Sequence, residues 1–367
     1  MCFLGDYFVM KNNSALVQHI FDDHMSKIVN VCLSAVNGVV AIVLYGGYGR
    51  DEGAWVEING KYAPYNDYDI LLVINDHVES PESIEEVKRS IVNMIDIKWV
   101  DVGYIYRKDL HKPRMTVYWY DLIHGSKVIY GDNKILDTIP HFHQNKIKKT
   151  EAEVLFFTRL WPFIGVIKSM CDLGSEESLF FRYQMTKSIL SIADILLIMR
   201  GKYVSSYKDK VKNALLLIDD DNKSNHSHLL EWAIIQKLTP STSSMAMKDV
   251  IKLQNQVAHF YAHYMLIMLS KIYRKKFLTI NQFCEYYSSR YLNKLMVIIK
   301  SLVRPKVNYR RIFILNIVQL YILSSILNEV TKEDAVKKCI EQLNKIDIYP
   351  EYNFDSIRLI VADERVK

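Results

Sequence analysis

Two aspartates, Asp67 and Asp69, stand two positions apart where an apolar run of the sequence begins. Residues 70–74 have the composition of a buried strand. Residues i and i+2 of a strand point to the same side, so the two carboxylates project together, about 7 Å apart along the backbone. Carboxylates this close repel each other, and a hard divalent cation such as Mg²⁺ removes that repulsion.

A glycine-rich turn precedes these aspartates. Residues 39–44 form another β-branched apolar run, and Gly46, Gly47 and Gly49 follow it directly. Glycine lets the backbone approach a ligand and turn its N–H groups toward an anion. Arg50 adds a planar, permanently positive group that suits phosphate. The turn therefore predicts a phosphate site at the start of a short helix, although no Gly-Lys-Ser/Thr closes it as in a Walker loop.

A third carboxylate lies inside a further predicted strand, residues 97–105. Asp101 is our candidate, and Asp96, at the end of the preceding predicted helix, competes with it. Glu52 is a candidate for supporting either the turn or the metal shell. The alternative interpretation of the three aspartates is that they are ordinary strand-end residues after a tight turn.

Four motifs, taken in chain order, resemble those of the polymerase-β-like nucleotidyltransferase superfamily: Gly46-Gly47, Arg50-Asp51-Glu52-Gly53, Asp67-Tyr68-Asp69 and Asp101. The resemblance covers residues 40–106. It departs from the family pattern at Gly47, where many members have serine and hence a hydroxyl contact to phosphate. The segment 53–66 is also longer than in the smallest members.

The resemblance implies that Asp67, Asp69 and Asp101 are catalytic and bind two Mg²⁺ ions, and that Gly46 and Gly47 hold the nucleotide phosphates. Such an enzyme transfers a nucleoside monophosphate from an NTP to a hydroxyl or phosphate acceptor and releases pyrophosphate.

The remaining helical region looks similar to that of aminoglycoside and other small-molecule nucleotidyltransferases, in which a lysine of the helical domain reaches the phosphates. We carry that role to Lys187, which shares a helix face with Tyr183; the alternative is a solvated face. A small-molecule acceptor is favoured. Modification of a protein or tRNA, as by toxin- and antitoxin-like enzymes, and a non-catalytic nucleotide-binding module are the alternatives.

Composition narrows the partners. The 367 residues are 50% hydrophobic and 24% charged, which is enough apolar sequence for a large core. A net charge of +6 suits a nucleotide substrate, yet no dense Lys/Arg tract predicts nucleic-acid binding.

Five widely spaced cysteines without a Cys-x-x-Cys motif favour reduced thiols over disulfides or zinc. The first residues lack the pattern of a signal peptide. Both observations favour a cytoplasmic protein.

The predicted architecture is an α/β nucleotidyltransferase domain with a small mixed sheet, residues 1–140, followed by an all-α domain, residues 150–367. In the first domain, helices are expected over 14–36 and from Ser80-Pro81 to Asp96, and a strand over 115–120. In the second, helical periodicity covers 151–171, 177–200, 206–218, 227–238, 246–274, 280–303, 309–329 and 332–345.

Two further features favour structural roles. His259 and His263 have metal-ligand spacing on a helix but lack a third ligand, so helix packing is the better interpretation. The apolar run 312–327, which follows several basic residues, could meet a membrane surface. Its polar interruptions and length favour a buried helix without a transmembrane segment.

Overall fold

The computed structural model of the protein describes residues 14–58, 60–76, 84–165, 172–218, 223–290, 297 and 307–366. The chain divides into two compact units. The first comprises Met1–Lys148, Arg200–Asn213 and Ile234–Thr242, and the second comprises the rest of the chain. Two segments of the helical region thus belong to the first unit.

The first unit is built on a small mixed sheet, as predicted. Its strands, with those of a separate hairpin, are β1 (Val39–Tyr45), β2 (Trp55–Ile58), β3 (Lys61–Pro64), β4 (Tyr68–Ile74), β5 (Val100–Tyr106) and β6 (Lys127–Gly131). The four-stranded sheet has the order β5-β4-β1-β6. Strand β1 runs antiparallel to both β4 and β6, whereas β4 and β5 are parallel.

Helices cover both faces of this sheet. They are α1 (Ser14–Ala35), the single-turn α2 (Gly46–Gly49), α3 (Ile84–Ile95) and α4 (Val117–His124). Apolar residues of α1 and α3 pack with alternate residues of β1 and β4, and α4 packs on the opposite face. The helix predicted over 14–36 is confirmed, and the predicted start of the next helix at Ser80-Pro81 lies outside the described residues.

The long segment 53–66 forms the β2–β3 hairpin. Tyr48 anchors this segment by donating a hydrogen bond of 2.6 Å to the Ala54 carbonyl. The additional residues therefore form a β-hairpin between the glycine turn and β4.

The prediction of a strand over 115–120 was wrong, because these residues begin α4. Aromatic and β-branched side chains made the segment look extended. Thr116, however, caps the helix by accepting a hydrogen bond from the Trp119 N–H. Trp119, Tyr120 and Leu122 are buried at helical spacing, so tertiary packing prevails over local propensity.

The second half of the chain is helical, as predicted. Its helices are Thr150–Gly165, Ser175–Arg200, Tyr207–Leu215, Lys223–Leu238, Met247–Tyr273, Ile280–Ser289, Tyr309–Ile326, Lys332–Leu343 and Phe354–Val366. The last of these was not predicted. Parts of the predicted helices 151–171 and 280–303 lie outside the described residues.

Most of the apolar run 312–327 is buried in the second unit. All residues from Ile314 to Ser325 are buried, which confirms the predicted buried helix. Among the described helices, none is long and apolar enough to cross a membrane. Cys32, Cys284 and Cys339 are buried free thiols, as predicted for these three.

Candidate active site

Strand alternation places Asp69 on the α4 side of the sheet. Leu71 and Val73 of β4 pack on the α4 side. Asp69 precedes Leu71 by two positions, so it points to the α4 side. Asp67 lies just before the strand. Tyr68 and Ile70 between and after them are fully buried in the opposite cluster.

Asp101 joins these residues through strand pairing. It is the register partner of Asp69 in the parallel pair of β4 and β5, and neighbouring strands lie about 4.8 Å apart. Ile105, of the same parity in β5, packs in the α4-side cluster. Asp96, by contrast, ends α3 in the left-handed conformation with φ of 51°. Of the two competing candidates, it is Asp101 that lies beside Asp69.

The negative charge of these carboxylates contributes to the pKa values of two nearby tyrosines. Tyr45 is the register partner of Asp69 in β1, and its ring meets that of Tyr118 edge-on, with 5.7 Å between centroids. Burial, followed by Asp69 and Asp101, raises the pKa of Tyr45 above its usual value. Partial burial, followed by Asp101 and Asp69, raises the pKa of Tyr118 to about 12. Both phenols therefore remain protonated at neutral pH.

The glycine turn packs directly against Asp69. Gly46 has φ of +68°, and a Cβ atom at this position would lie 1.9 Å from Asp69 Oδ2. Only glycine combines that backbone conformation with the missing side chain. The structure thus brings the predicted phosphate turn and the predicted metal ligand into contact.

Arg50 lies in a buried network rather than on an open surface. Its side chain is 6% exposed, and its Nε donates a hydrogen bond of 3.1 Å to Glu52. A second carboxylate, Asp121, lies 3.8 Å from Arg50 Nη1. Burial alone would lower the pKa of Arg50, but Tyr207, Asp121 and Glu52 together hold it above its usual value. This placement favours a structural role for Arg50 over the predicted phosphate contact.

Glu52 connects the turn to the helix Tyr207–Leu215. One carboxylate oxygen accepts a hydrogen bond of 2.9 Å from Ser206 Oγ, and the other accepts one of 3.0 Å from the Tyr207 N–H. A carboxylate at a helix N-terminus satisfies unpaired N–H groups and interacts favourably with the helix dipole. Glu52 therefore supports the turn, one of the two roles predicted for it.

We expect Glu52→Gln to lower the free energy of unfolding by about 2–3 kcal/mol, because buried Arg50 loses the nearer of its two carboxylate partners. Urea denaturation measures this loss. Asp51→Asn is the matched control, since Asp51 is 76% exposed and pairs with Lys127 at the surface; it should cost less than about 0.5 kcal/mol. Equal losses in the two variants would contradict the assigned role of Glu52.

Three cations surround the ring of Tyr207, whose edge faces the turn. Arg50 Cζ lies 4.7 Å, Lys237 Nζ 4.8 Å and Lys210 Nζ 5.2 Å from the ring centroid. Lys210 is only 3% exposed and Lys237 only 4%. A Cβ atom at Gly47 would lie 3.9 Å from Tyr207 Cε2. Three cationic side chains thus lie around one ring beside the glycine turn.

Asn66 was not among the predicted site residues, although it directly precedes Asp67. It is 7% exposed, and neither polar atom of its side chain has a hydrogen-bond partner among the residues that the structure describes. A Cβ atom at Gly47 would lie 3.9 Å from Asn66 Nδ2. A buried amide without partners is costly for the folded protein, so its place beside the turn marks Asn66 as a candidate ligand contact.

Two other residues singled out in the sequence, Lys187 and His263, belong to the second unit. The Nζ of Lys187 stacks over the Tyr183 ring at 4.2 Å; the shared helix face is confirmed and the phosphate contact stays a prediction. His263 contacts the ring of His226 with 5.2 Å between centroids. Among the described side chains, no third potential metal ligand accompanies these histidines, whether His263 is taken with His226 or with His259.

Near the starts of β4 and β5, the paired residues Asp69 and Asp101 supply carboxylate oxygens. A hard cation such as Mg²⁺ prefers oxygen ligands, so this donor chemistry fits it. The Lys88 ammonium lies 3.6 Å from Asp101 Oδ1, and Asp101 is 57% exposed. In the described part of the chain, no three His, Cys, Asp or Glu side chains are arranged to hold a metal ion. Asp69 and Asp101 share one face of the sheet, and Asp67 lies at the entrance to β4.

Comparisons with known proteins do not assign a family. No protein-family model and no curated protein matches the chain. Among solved structures, the chain is similar to that of the spectinomycin adenyltransferase AAD(9) from Enterococcus faecialis with ATP and spectinomycin. The identity is 10%, the TM-score is 0.36, and the match covers 64% of this chain and 98% of that chain. A likeness this weak carries no argument about function.

Proposed function

We propose that the protein is a metal-dependent nucleotidyltransferase that moves a nucleoside monophosphate from an NTP to a hydroxyl or phosphate group of a small molecule. The observation that carries this proposal is the register of Tyr45, Asp69 and Asp101 at one edge of the sheet, with Gly46 packed against Asp69. Carboxylates beside an anion-binding turn are the parts that phosphoryl transfer requires.

In this proposal Asp67, Asp69 and Asp101 hold two Mg²⁺ ions, which neutralise charge on the NTP phosphates when bound. Binding requires the side chains to turn toward a common point, and exposed Asp101 has the room to do so. The donor set contains only oxygen, as Mg²⁺ prefers.

The protein's own groups then act on the substrates. Backbone N–H groups of Gly46 and Gly47 receive the phosphates, and Lys237 supplies positive charge from across the Tyr207 ring. Asp101 takes the proton of the acceptor hydroxyl. The hydroxyl oxygen forms a bond to the α-phosphorus while the bond to the leaving pyrophosphate breaks, so charge and atoms balance.

Asn66 supplies a sharper prediction. Asn66→Ala removes an amide that has no internal partner, so the free energy of unfolding should change by less than about 1 kcal/mol. If the amide contacts the nucleotide, NTP affinity should fall about fivefold to tenfold. Calorimetric titration measures the NTP affinity of the wild type and of the variant. Asn93→Ala, on the exposed side of α3, is the control, and equal NTP affinity in all three proteins would remove Asn66 from the site.

The proposal as a whole is tested by pyrophosphate release from each of the four NTPs with Mg²⁺ and a panel of hydroxyl compounds. One NTP should give acceptor-dependent release that stops with EDTA. The absence of release with every NTP and acceptor would favour the non-catalytic nucleotide-binding module. Release that requires a protein or tRNA instead of a small molecule would correct the acceptor class.

A further inference from the structure

An open pocket lies on the α4 side of the sheet, next to Ile105 of β5 and Trp119 of α4. Its volume is about 570 Å³, and its lining includes Ile105, Asp109, Lys112, Arg114, Tyr118 and Trp119. This volume falls within the usual range for small-molecule sites. All of these residues belong to the first unit. None of them has a role in binding the metal ions or the NTP in the proposed function.

Strand β5 connects the pocket to the carboxylates. Asp101, Gly103 and Ile105 share one side of the strand because they are two positions apart. A Cβ atom at Gly103 would meet nothing within 4 Å, so the strand between Asp101 and the pocket has open space above it. Four residues of strand span about 13 Å. Tyr118 lines the pocket, and its ring meets that of Tyr45, the register partner of Asp69, with 5.7 Å between centroids.

The pocket and the carboxylates have opposite charge. Lys112 and Arg114 contribute two positive charges against one negative charge from Asp109, whereas the strand ends carry three aspartates. A ligand with a hydroxyl at one end and an anion at the other would match this distribution of charge along β5. A cationic acceptor would meet repulsion from Lys112 and Arg114 in the pocket.

We infer that this pocket binds a phosphate group of the acceptor, so that the acceptor is a phosphorylated hydroxyl compound. The inference rests on the proposed function, since it takes the carboxylates as the place of reaction. Arg114 presents a planar guanidinium that suits phosphate, and Lys112 adds a point charge. Gly103 forms an open floor over which the body of the acceptor passes.

The test compares the affinities of glucose 6-phosphate, glycerol 3-phosphate, inorganic phosphate, glucose and glycerol for the full chain without NTP. The phosphorylated compounds should bind the wild type at least about tenfold more tightly than the unphosphorylated ones. Lys112→Ala/Arg114→Ala should abolish this preference. Gly103→Leu, which keeps the charge and fills the open space, should weaken the two sugar and polyol phosphates but not inorganic phosphate.

Lys134→Ala/Lys148→Ala is the matched control, because it removes two exposed charges away from the pocket lining. Equal affinity for phosphorylated and unphosphorylated compounds, or an equal loss in the control, would overturn the inference. Mg²⁺–NTP binding is measured on the same proteins. If NTP binds and the phosphate preference is missing, only the pocket is wrong; if the preference is present and no NTP binds, the proposed function fails while the phosphate site stands.

Discussion

Replacing Asp69 with asparagine is expected to slow nucleotidyl transfer by at least about a thousandfold while the chain stays folded. Asp69 is the middle residue of the site, in register with Tyr45 on one side and Asp101 on the other. The substitution keeps the shape of the side chain and removes the charge that would balance the metal. Single-turnover pyrophosphate release with water as the acceptor measures the loss of transfer rate.

Stability should change far less than activity in this variant. Asparagine keeps the size and shape of the side chain that packs against Gly46, so the free energy of unfolding should change by less than about 1 kcal/mol. Asp96→Asn is the matched control, because it changes the competing carboxylate in a left-handed position that asparagine tolerates. Loss of activity in Asp96→Asn, or less than a tenfold loss in Asp69→Asn, would contradict the assignment.

The second large effect is expected from Gly46→Ala, which should lower the free energy of unfolding by about 2–4 kcal/mol. Two costs add here. The backbone has φ of +68°, and the new Cβ would lie 1.9 Å from Asp69 Oδ2. Because Asp69 must move, transfer activity should fall together with stability. Thermal and urea denaturation and the same pyrophosphate assay follow the two losses.

Gly60→Ala separates the two costs of that substitution. Gly60 has φ of +76°, but a Cβ atom there would meet nothing within 4 Å. This variant should lose only the backbone contribution, about 1 kcal/mol, and remain active. Equal destabilisation of the two variants would show that the Asp69 carboxylate does not pack against Gly46.

The local part of the site could be predicted from sequence because it depends on neighbouring residues. An apolar run, a glycine turn and a second run opening with Asp67 and Asp69 define the strand–turn–strand unit without knowledge of the rest of the chain. The period of two in a strand was also sufficient to place Asp69 on the opposite side from Tyr68 and Ile70.

The non-local part could not be predicted in this way. The contact between Glu52 and Ser206 joins residues 154 positions apart, and no periodicity indicates such a pairing. Tyr118 was missed for a different reason, since its segment was predicted as a strand and α4 directs it to Tyr45 instead. Tyr45 itself was available from sequence, because it continues the alternation of Ala41 and Val43 on the α4 side.

Asn66 shows why burial matters for finding a site. In the sequence it is one polar residue in a polar loop, typical of a turn. In the folded chain it is nearly inaccessible, with two polar atoms that have no partner. The signal that identifies it is the conflict between burial and hydrogen bonding, which exists only after folding.

The most direct test of the central claim is Mg²⁺-dependent NTP binding, followed by thermal denaturation of wild type and Asp67→Asn/Asp69→Asn. Asp51→Asn/Asp96→Asn, which also loses two charges, is the control. At about one hundred times its Kd, one NTP should stabilise wild type and control by about 2.7 kcal/mol with Mg²⁺ and much less with EDTA, and should leave the site variant unshifted. Equal stabilisation of all three proteins, or stabilisation by no NTP, would contradict a metal–triphosphate site at these aspartates.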